Sequence, residues 1–222
     1  MKINGVIFDM DGTLVDSLSF WEHLWFEIGT RYLSNPSFLP EKDDDKRVRT
    51  MIYKDAMRFI MEKYRIVEDE ERFEIFSVNL ITDFYKSIAK AKPGAVELLE
   101  YLKKQGIKIC LASATARREI GTSLEATGLL KYFDHILSCA DLGVGKEKPD
   151  VYLEALAQMG LPADNVWVVE DSYVALESAK SAGLKTVGVY DKYSYNQDRL
   201  RASADVYLGE GHTLAELTKI FE

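Results

Sequence analysis

The chain has 222 residues, 47% of them hydrophobic, and a formal net charge of −8 at pH 7. That length suits one large domain, or a core domain carrying an insert, and the apolar share is enough for a proper core. The acidic balance, with no Lys/Arg-rich block, argues against nucleic acid as a partner, whereas a small anionic substrate stays open because a local lysine or metal ion overrides a global charge.

The first apolar run, Ile3 to Phe8, predicts a buried strand, and it meets Asp9, Asp11 and then Gly12. Side chains on a strand alternate faces, so the two carboxylates are expected to point the same way. Like-facing buried acids repel and are hard to desolvate unless a cation, a proton or hydrogen bonds offset the cost. The pair therefore reads as a site, with an Asp-x-Asp-Gly surface turn as the structural alternative.

From Ser17 to about Lys90 the spacing predicts helices only. Ser17 to Leu33 carries Leu18, Trp21, Trp25, Ile28 and Tyr32 at helical intervals, and Asn35-Pro36 and Leu39-Pro40 break the pattern. Asp43 to Tyr64 repeats it through Val48, Met51, Ile52, Ala56, Phe59 and Ile60, with acids at its start. Glu68 to Ala89 gives a third long helix. These helices form one module, with room for a further split.

Beyond Pro93 the texture alternates. Helices are predicted over Ala95–Gln105, Arg117–Thr127, Asp150–Met159, Tyr173–Ala182 and Leu214–Phe221. Strands are predicted over Ile107–Ala112, Ile136–Ser138, Val166–Val169, Lys185–Val189 and Val206–Leu208. Glycines 106, 128, 160 and 183 stop the first four of these helices. Such alternation predicts a doubly wound, Rossmann-like parallel sheet with helices on both faces. The first strand joins that sheet, so the helical module, 17–90, interrupts an α/β core made of 1–16 and 91–222.

The remaining features set the surroundings. Cys110 and Cys139 fall in or beside apolar runs and read as reduced core thiols. No run is long and apolar enough for a membrane span, and acids stand where an export signal needs an apolar stretch. A cytoplasmic protein with no membrane partner is expected. Tyr190 to Tyr195 is an aromatic, polar loop with no evident role. His23, His135 and His212 lack metal-ligand spacing.

In an open parallel sheet, ligands bind beyond the carboxyl ends of the strands. Asp9 and Asp11 follow the first strand, Ser113 and Ala114 the second, and Glu170-Asp171-Ser172 a later one; two lysines, Lys146 and Lys148, lie in the loop before the 150s helix. Asp9 and Asp171 suit a hard cation such as Mg²⁺, which prefers oxygen ligands. The Ser113 hydroxyl and backbone N–H groups beside it suit phosphate oxygens. Asp9 suits a nucleophile and Asp11 a general acid and base. Taken singly, Ser113 also fits a helix cap, the lysines solvated loop charges, and Asp171 or Ser172 the start of a helix.

Together these residues resemble the haloacid dehalogenase-like superfamily of phosphohydrolases. The motifs are Asp9-Met10-Asp11-Gly12-Thr13-Leu14-Val15-Asp16-Ser17, Ser113, Lys146 and Glu170-Asp171-Ser172, with the helical insertion in the place of the family's cap. The resemblance implies an Mg²⁺-dependent phosphatase acting on a small phosphorylated metabolite through a phosphoaspartate on Asp9, with the cap closing to exclude water. It implies a metal held by the Asp9 carboxylate, the Asp11 carbonyl and the Asp171 carboxylate, with Glu170 as a second acidic partner. Aligning on Pro149-Asp150 makes Lys146, rather than Lys148, the motif lysine. The stretch Leu111 to Thr115 also looks like the beta-phosphoglucomutase branch, so a hexose-phosphate mutase using the same phosphoaspartate is the alternative. Arg47, Arg49 and Lys54 are candidates for a second phosphate, against an ordinary solvated helix face. Dehalogenases of the superfamily lack the second aspartate, which is present here as Asp11. A non-enzymatic phospho-receiver is a further alternative, opposed by the Asp-x-Asp-Gly run and the long helical insertion.

Overall fold

The computed structural model describes residues 3–49, 51 and 53–222. In chain order these form β1 (Gly5–Phe8), β2 (Val15–Asp16), α1 (Phe20–Tyr32), α2 (Lys42–Val48), α3 (Tyr53–Lys63), α4 (Glu70–Ser87), β3 (Lys90–Ala91), α5 (Ala95–Lys104) and β4 (Lys108–Ser113). There follow α6 (Arg117–Ala126), β5 (His135–Ser138), α7 (Cys139–Leu142), α8 (Asp150–Met159), β6 (Val166–Glu170), α9 (Tyr173–Ser181), β7 (Lys185–Val189), α10 (Gln197–Ser203) and β8 (Val206–Leu208). The chain divides into two compact units, one reaching to Leu18 and resuming over Ala89–Glu222, the other Ser19–Ile88.

The first unit is a six-stranded sheet in the order β5-β4-β1-β6-β7-β8, parallel throughout. β1 lies at its centre, with Ile7 in register with Cys110 on one side and Val168 on the other. These three share a face and form a buried core with Val151, Tyr152, Ala155 and Met159 of α8 and Ala179 of α9. The opposite face meets α5 and the 3₁₀ turn Leu214–Lys219; there Trp167 of β6 lies against the Phe221 ring at 5.8 Å. Burial on both faces explains why these strands read as continuous apolar runs. Cys110 and Cys139 are buried and free, and burial pushes the Cys110 thiol up to about 12. The doubly wound α/β class expected from the sequence is the fold observed.

The second unit is helical and aromatic. Phe20, Leu24, Trp25, Ile28, Phe73 and Phe84 are buried in it, and the Tyr32 ring meets Phe73 tilted and Phe76 edge-on, each at 5.3 Å. Trp25 satisfies its indole N–H on Asp45 at 2.7 Å. The single helix expected over Asp43 to Tyr64 is instead two, α2 ending at Val48 and α3 starting at Tyr53. Thr50 and Ile52, both within the span of the expected helix, lie outside the described residues. The first helix starts at Phe20 rather than Ser17, because the Ser17 side chain is engaged elsewhere.

Four elements, β2, β3, α7 and α10, escape the sequence pattern. β2 and β3 make a two-residue antiparallel ribbon, α7 is a single turn, and α10 follows the Tyr190–Tyr195 loop. The last helix expected, Leu214–Phe221, is a 3₁₀ turn ending at Lys219 and opened by a Thr213–Glu216 capping box.

Candidate active site

Because the sheet is parallel, the carboxyl ends of β1, β4, β5, β6 and β7 share one edge. β1 ends at Phe8, and Asp9 continues its pairing through a backbone bond to the Val169 carbonyl at 3.0 Å. The chain then turns on the Met10 carbonyl, which accepts from Leu14 at 3.0 Å and Val15 at 2.9 Å. Gly12 sits in this turn at φ 81°, a left-handed conformation that favours glycine.

Both aspartates lie just beyond the strand; burial raises the Asp9 carboxyl, and the nearby Asp11 charge adds to that rise. Asp9 is buried and accepts a hydrogen bond from Lys146. The Asp11 carboxylate accepts from the Ser17 hydroxyl at 2.6 Å and the Thr115 hydroxyl at 2.7 Å.

Lys146 also reaches Glu170 at 2.8 Å, so one ammonium bridges the ends of β1 and β6. Lys148 is exposed. Asp9, Glu170 and Asp171 are all buried, and each offers a carboxylate oxygen within 4.8 Å of the others. Among the described residues this is the one group of three or more such side chains arranged to hold a metal ion. Burial raises all three carboxyls, Asp171 to about 7 and Glu170 well above its usual range. Burial alone would lower Lys146, but the Asp9 and Glu170 charges hold it well above the usual lysine value. With all three acids ionised, the single ammonium of Lys146, which pairs with Asp9 and Glu170, would not balance their charge. A divalent cation would offset the remainder, and an all-oxygen donor set suits a hard one.

Ser113 is fully buried, and its hydroxyl accepts from the Thr115 N–H at 3.1 Å. Ala114 is exposed in the turn between β4 and α6. The structure thus brings Asp9, Lys146, Glu170 and Asp171 into one cluster and places Asp11 beside the loop that Ser113 opens. Arg47, Arg49 and Lys54 find partners inside the helical unit. Arg47 lies over the Phe59 ring at 4.3 Å, Arg49 pairs with Asp45 at 2.9 Å and Lys54 with Glu74 at 3.2 Å.

Two residues near the cluster went unmarked in the sequence. Thr115 holds Asp11, and its only signal was a hydroxyl two places after a strand end. Ser194 donates its hydroxyl to Asp171, from the loop to which the sequence assigned no role.

The fold and the cluster at its carboxyl edge define a doubly wound α/β enzyme with an acid-lined centre. Residues 3–183 match the haloacid dehalogenase-like hydrolase family, and the chain belongs to that family. A phosphorylated carbohydrates phosphatase of Thermotoga maritima is 31% identical over 203 residues, covering 91% of this chain and 92% of that protein. The beta-phosphoglucomutase of Bacillus subtilis is 26% identical over 202 residues, covering 84% and 83%. A crystal structure from Thermotoga maritima, of a protein provisionally named a beta-phosphoglucomutase, superposes with a TM-score of 0.80 at 28% identity, covering 99% of this chain and 98% of that one. The relatives thus belong to the family's phosphatase and phosphoglucomutase branch.

Proposed function

We propose that this enzyme is a phosphatase that hydrolyses a small phosphorylated metabolite, a sugar phosphate by its relatives' names, through a phosphoaspartate on Asp9. The observation that carries the reading is the shared ammonium: Lys146 bonds both Asp9 and Glu170 at the end of the central strand. An ionised Asp9 beside a fixed cation can approach a phosphoryl group whose own charge that cation helps neutralise.

Asp9, Asp171 and the Asp11 carbonyl would hold Mg²⁺, with Glu170 as a further acidic partner. When bound, the ion would neutralise phosphoryl oxygens and orient the group for in-line attack. The Ser113 hydroxyl and the N–H of Ala114 would bind the remaining phosphoryl oxygens. In the first step the Asp9 carboxylate forms a bond to phosphorus as the ester P–O bond breaks, and Asp11 gives its proton to the departing alcohol. In the second, Asp11 takes a proton from water as that water bonds phosphorus and releases the Asp9 carboxylate. The products are the alcohol and inorganic phosphate, with both aspartates restored. The two hydroxyls on Asp11 would fix its orientation for this double duty.

In this reading 17–90 is a cap inserted into the catalytic core, and it carries substrate selection. Two buried, unpaired thiols accord with a cytoplasmic setting, and among the described residues no helix is long and apolar enough to cross a membrane.

The mutase is the second reading, favoured by the two relatives named as phosphoglucomutases. It would return the phosphoryl group to the sugar rather than to water. The engagement of Arg47, Arg49 and Lys54 within the helical unit supports hydrolysis over that alternative. A panel of phosphorylated sugars assayed with Mg²⁺ tests both readings. Release of inorganic phosphate over many turnovers supports the phosphatase. Conversion of glucose 1-phosphate to the 6-phosphate without phosphate release supports the mutase, and a single stable phosphorylation contradicts both.

A further inference from the structure

The loop after β7 touches the acidic cluster through one side chain. Ser194 donates its hydroxyl to Oδ2 of Asp171, while Thr13 reaches Oδ1 at 3.4 Å. Ser194 belongs to neither a strand nor a helix, and its position is set by Asp191. The Asp191 carboxylate accepts from the Tyr193 N–H at 2.8 Å, and its carbonyl accepts from the Ser194 N–H at 3.1 Å and the Gln197 amide at 2.9 Å.

Asp191 is itself buried, and a buried carboxylate needs a partner to remain charged. That partner is Lys92, whose Nζ lies 2.7 Å from Asp191 Oδ2 and 3.2 Å from the Tyr190 carbonyl. Lys92 is anchored in turn by its backbone, since its N–H donates to the Leu14 carbonyl at 2.8 Å. Leu14 lies in the turn that follows Asp9 and Asp11. A closed chain of contacts therefore runs from that turn through Lys92, Asp191 and Ser194 back to Asp171.

We propose that Lys92, Asp191 and Ser194 are positioning residues that set the cation affinity of Asp171. The proposal rests on Asp171 being a metal ligand, as proposed above. A carboxylate has about four lone-pair sites. Hydrogen bonds from Ser194 and Thr13 leave others for a cation while fixing the rotation of the group. The buried pair behind Ser194 keeps that hydroxyl in place without adding net charge beside the cluster. Partners of this outer kind are commonly worth about ten- to a hundredfold in metal affinity.

The test is Mn²⁺ titration of the full chain, followed by the electron paramagnetic resonance signal of free Mn²⁺, with Asp171→Asn alongside. Ser194→Ala is expected to weaken binding about tenfold. Ser194→Thr, which keeps the hydroxyl, should recover most of the loss. Asp191→Asn should also weaken binding, and the double variant with Ser194→Ala should be no worse than the weaker single variant. Ser194→Ala binding like wild type, with Asp171→Asn deficient, overturns the proposal but leaves the metal centre standing. Additive losses overturn the route through Ser194. Asp171→Asn binding like wild type overturns both the centre and this proposal. Ser194 is half-buried in a loop, so its variant keeps the test decisive even where Asp191→Asn fails to fold.

Discussion

The Thr115 hydroxyl donates to the Asp11 carboxylate across 2.7 Å, joining the loop after β4 to the turn after β1. With Ser17 bonded at 2.6 Å, it engages both oxygens of Asp11, one each. Thr115→Val should therefore release a side chain that, in the proposed mechanism, delivers and recovers a proton. We expect kcat to fall by about tenfold or more, the scale of one hydrogen bond to a charged group, with Thr115→Ser close to wild type. Steady-state kinetics on the preferred substrate checks this; equal losses in both variants would contradict it.

Lys146 and Lys148 differ by two positions and should behave in opposite ways. Removing the Lys146 ammonium leaves Asp9 and Glu170 buried without their cation. Lys146→Met should abolish turnover and destabilise the fold by about 3–5 kcal/mol. Lys148 is exposed, and Lys148→Met should change stability by no more than about 0.5 kcal/mol. Chemical denaturation and phosphate release measured on both variants check the pair.

The raised carboxyl of Asp171 gives a pH dependence with a definite sign. Its folded value is about 7 against an ordinary 3.8, because burial disfavours its charge. Between those values the folded state binds more protons than the unfolded state, so its contribution to stability falls as pH rises. That contribution is fully present below about pH 4 and is lost as pH rises through about 7. Metal-free protein should become less stable across that window, and Asp171→Asn should flatten the decline. Divalent cation should stabilise more at pH 7.5 than at pH 5, because it binds the ionised form. Thermal melts in chelator and in Mg²⁺ measure both effects.

Gly12 offers a steric test. A Cβ there would lie 2.6 Å from Asp171 Oδ2 and 2.7 Å from Leu18 Cδ1, at φ 81°. Gly12→Ala should lose at least about 1 kcal/mol of stability from the left-handed conformation alone. It should also displace the Asp171 carboxylate and weaken metal binding. Denaturation and metal titration on the same variant separate the two effects.

The sequence was most legible where local signals agree. Helix α8 runs over the expected Asp150–Met159, because Pro149 precedes it and Gly160 closes it in a left-handed conformation. The central strand and the residues at strand ends were legible for a similar reason, since apolar runs stop abruptly at acids and hydroxyls. The β2–β3 ribbon was not, because two-residue strands carry no period. Nor was the break between α2 and α3, where periodicity continued through Met51. At the site, Lys146 and Asp171 stood in recognisable strings, whereas Thr115 and Ser194 act through contacts 104 and 23 residues away in sequence. Such contacts exist only once the sheet has assembled its edge.

The central claim is that Asp9 forms the bond to phosphorus. Asp9→Asn keeps the size of the side chain and removes its charge, so the measurement is release of inorganic phosphate by this variant with the preferred sugar phosphate and saturating Mg²⁺. We predict a folded protein, by circular dichroism, whose turnover falls to background. Asp9→Asn protein releasing phosphate at the wild-type rate would contradict the mechanism.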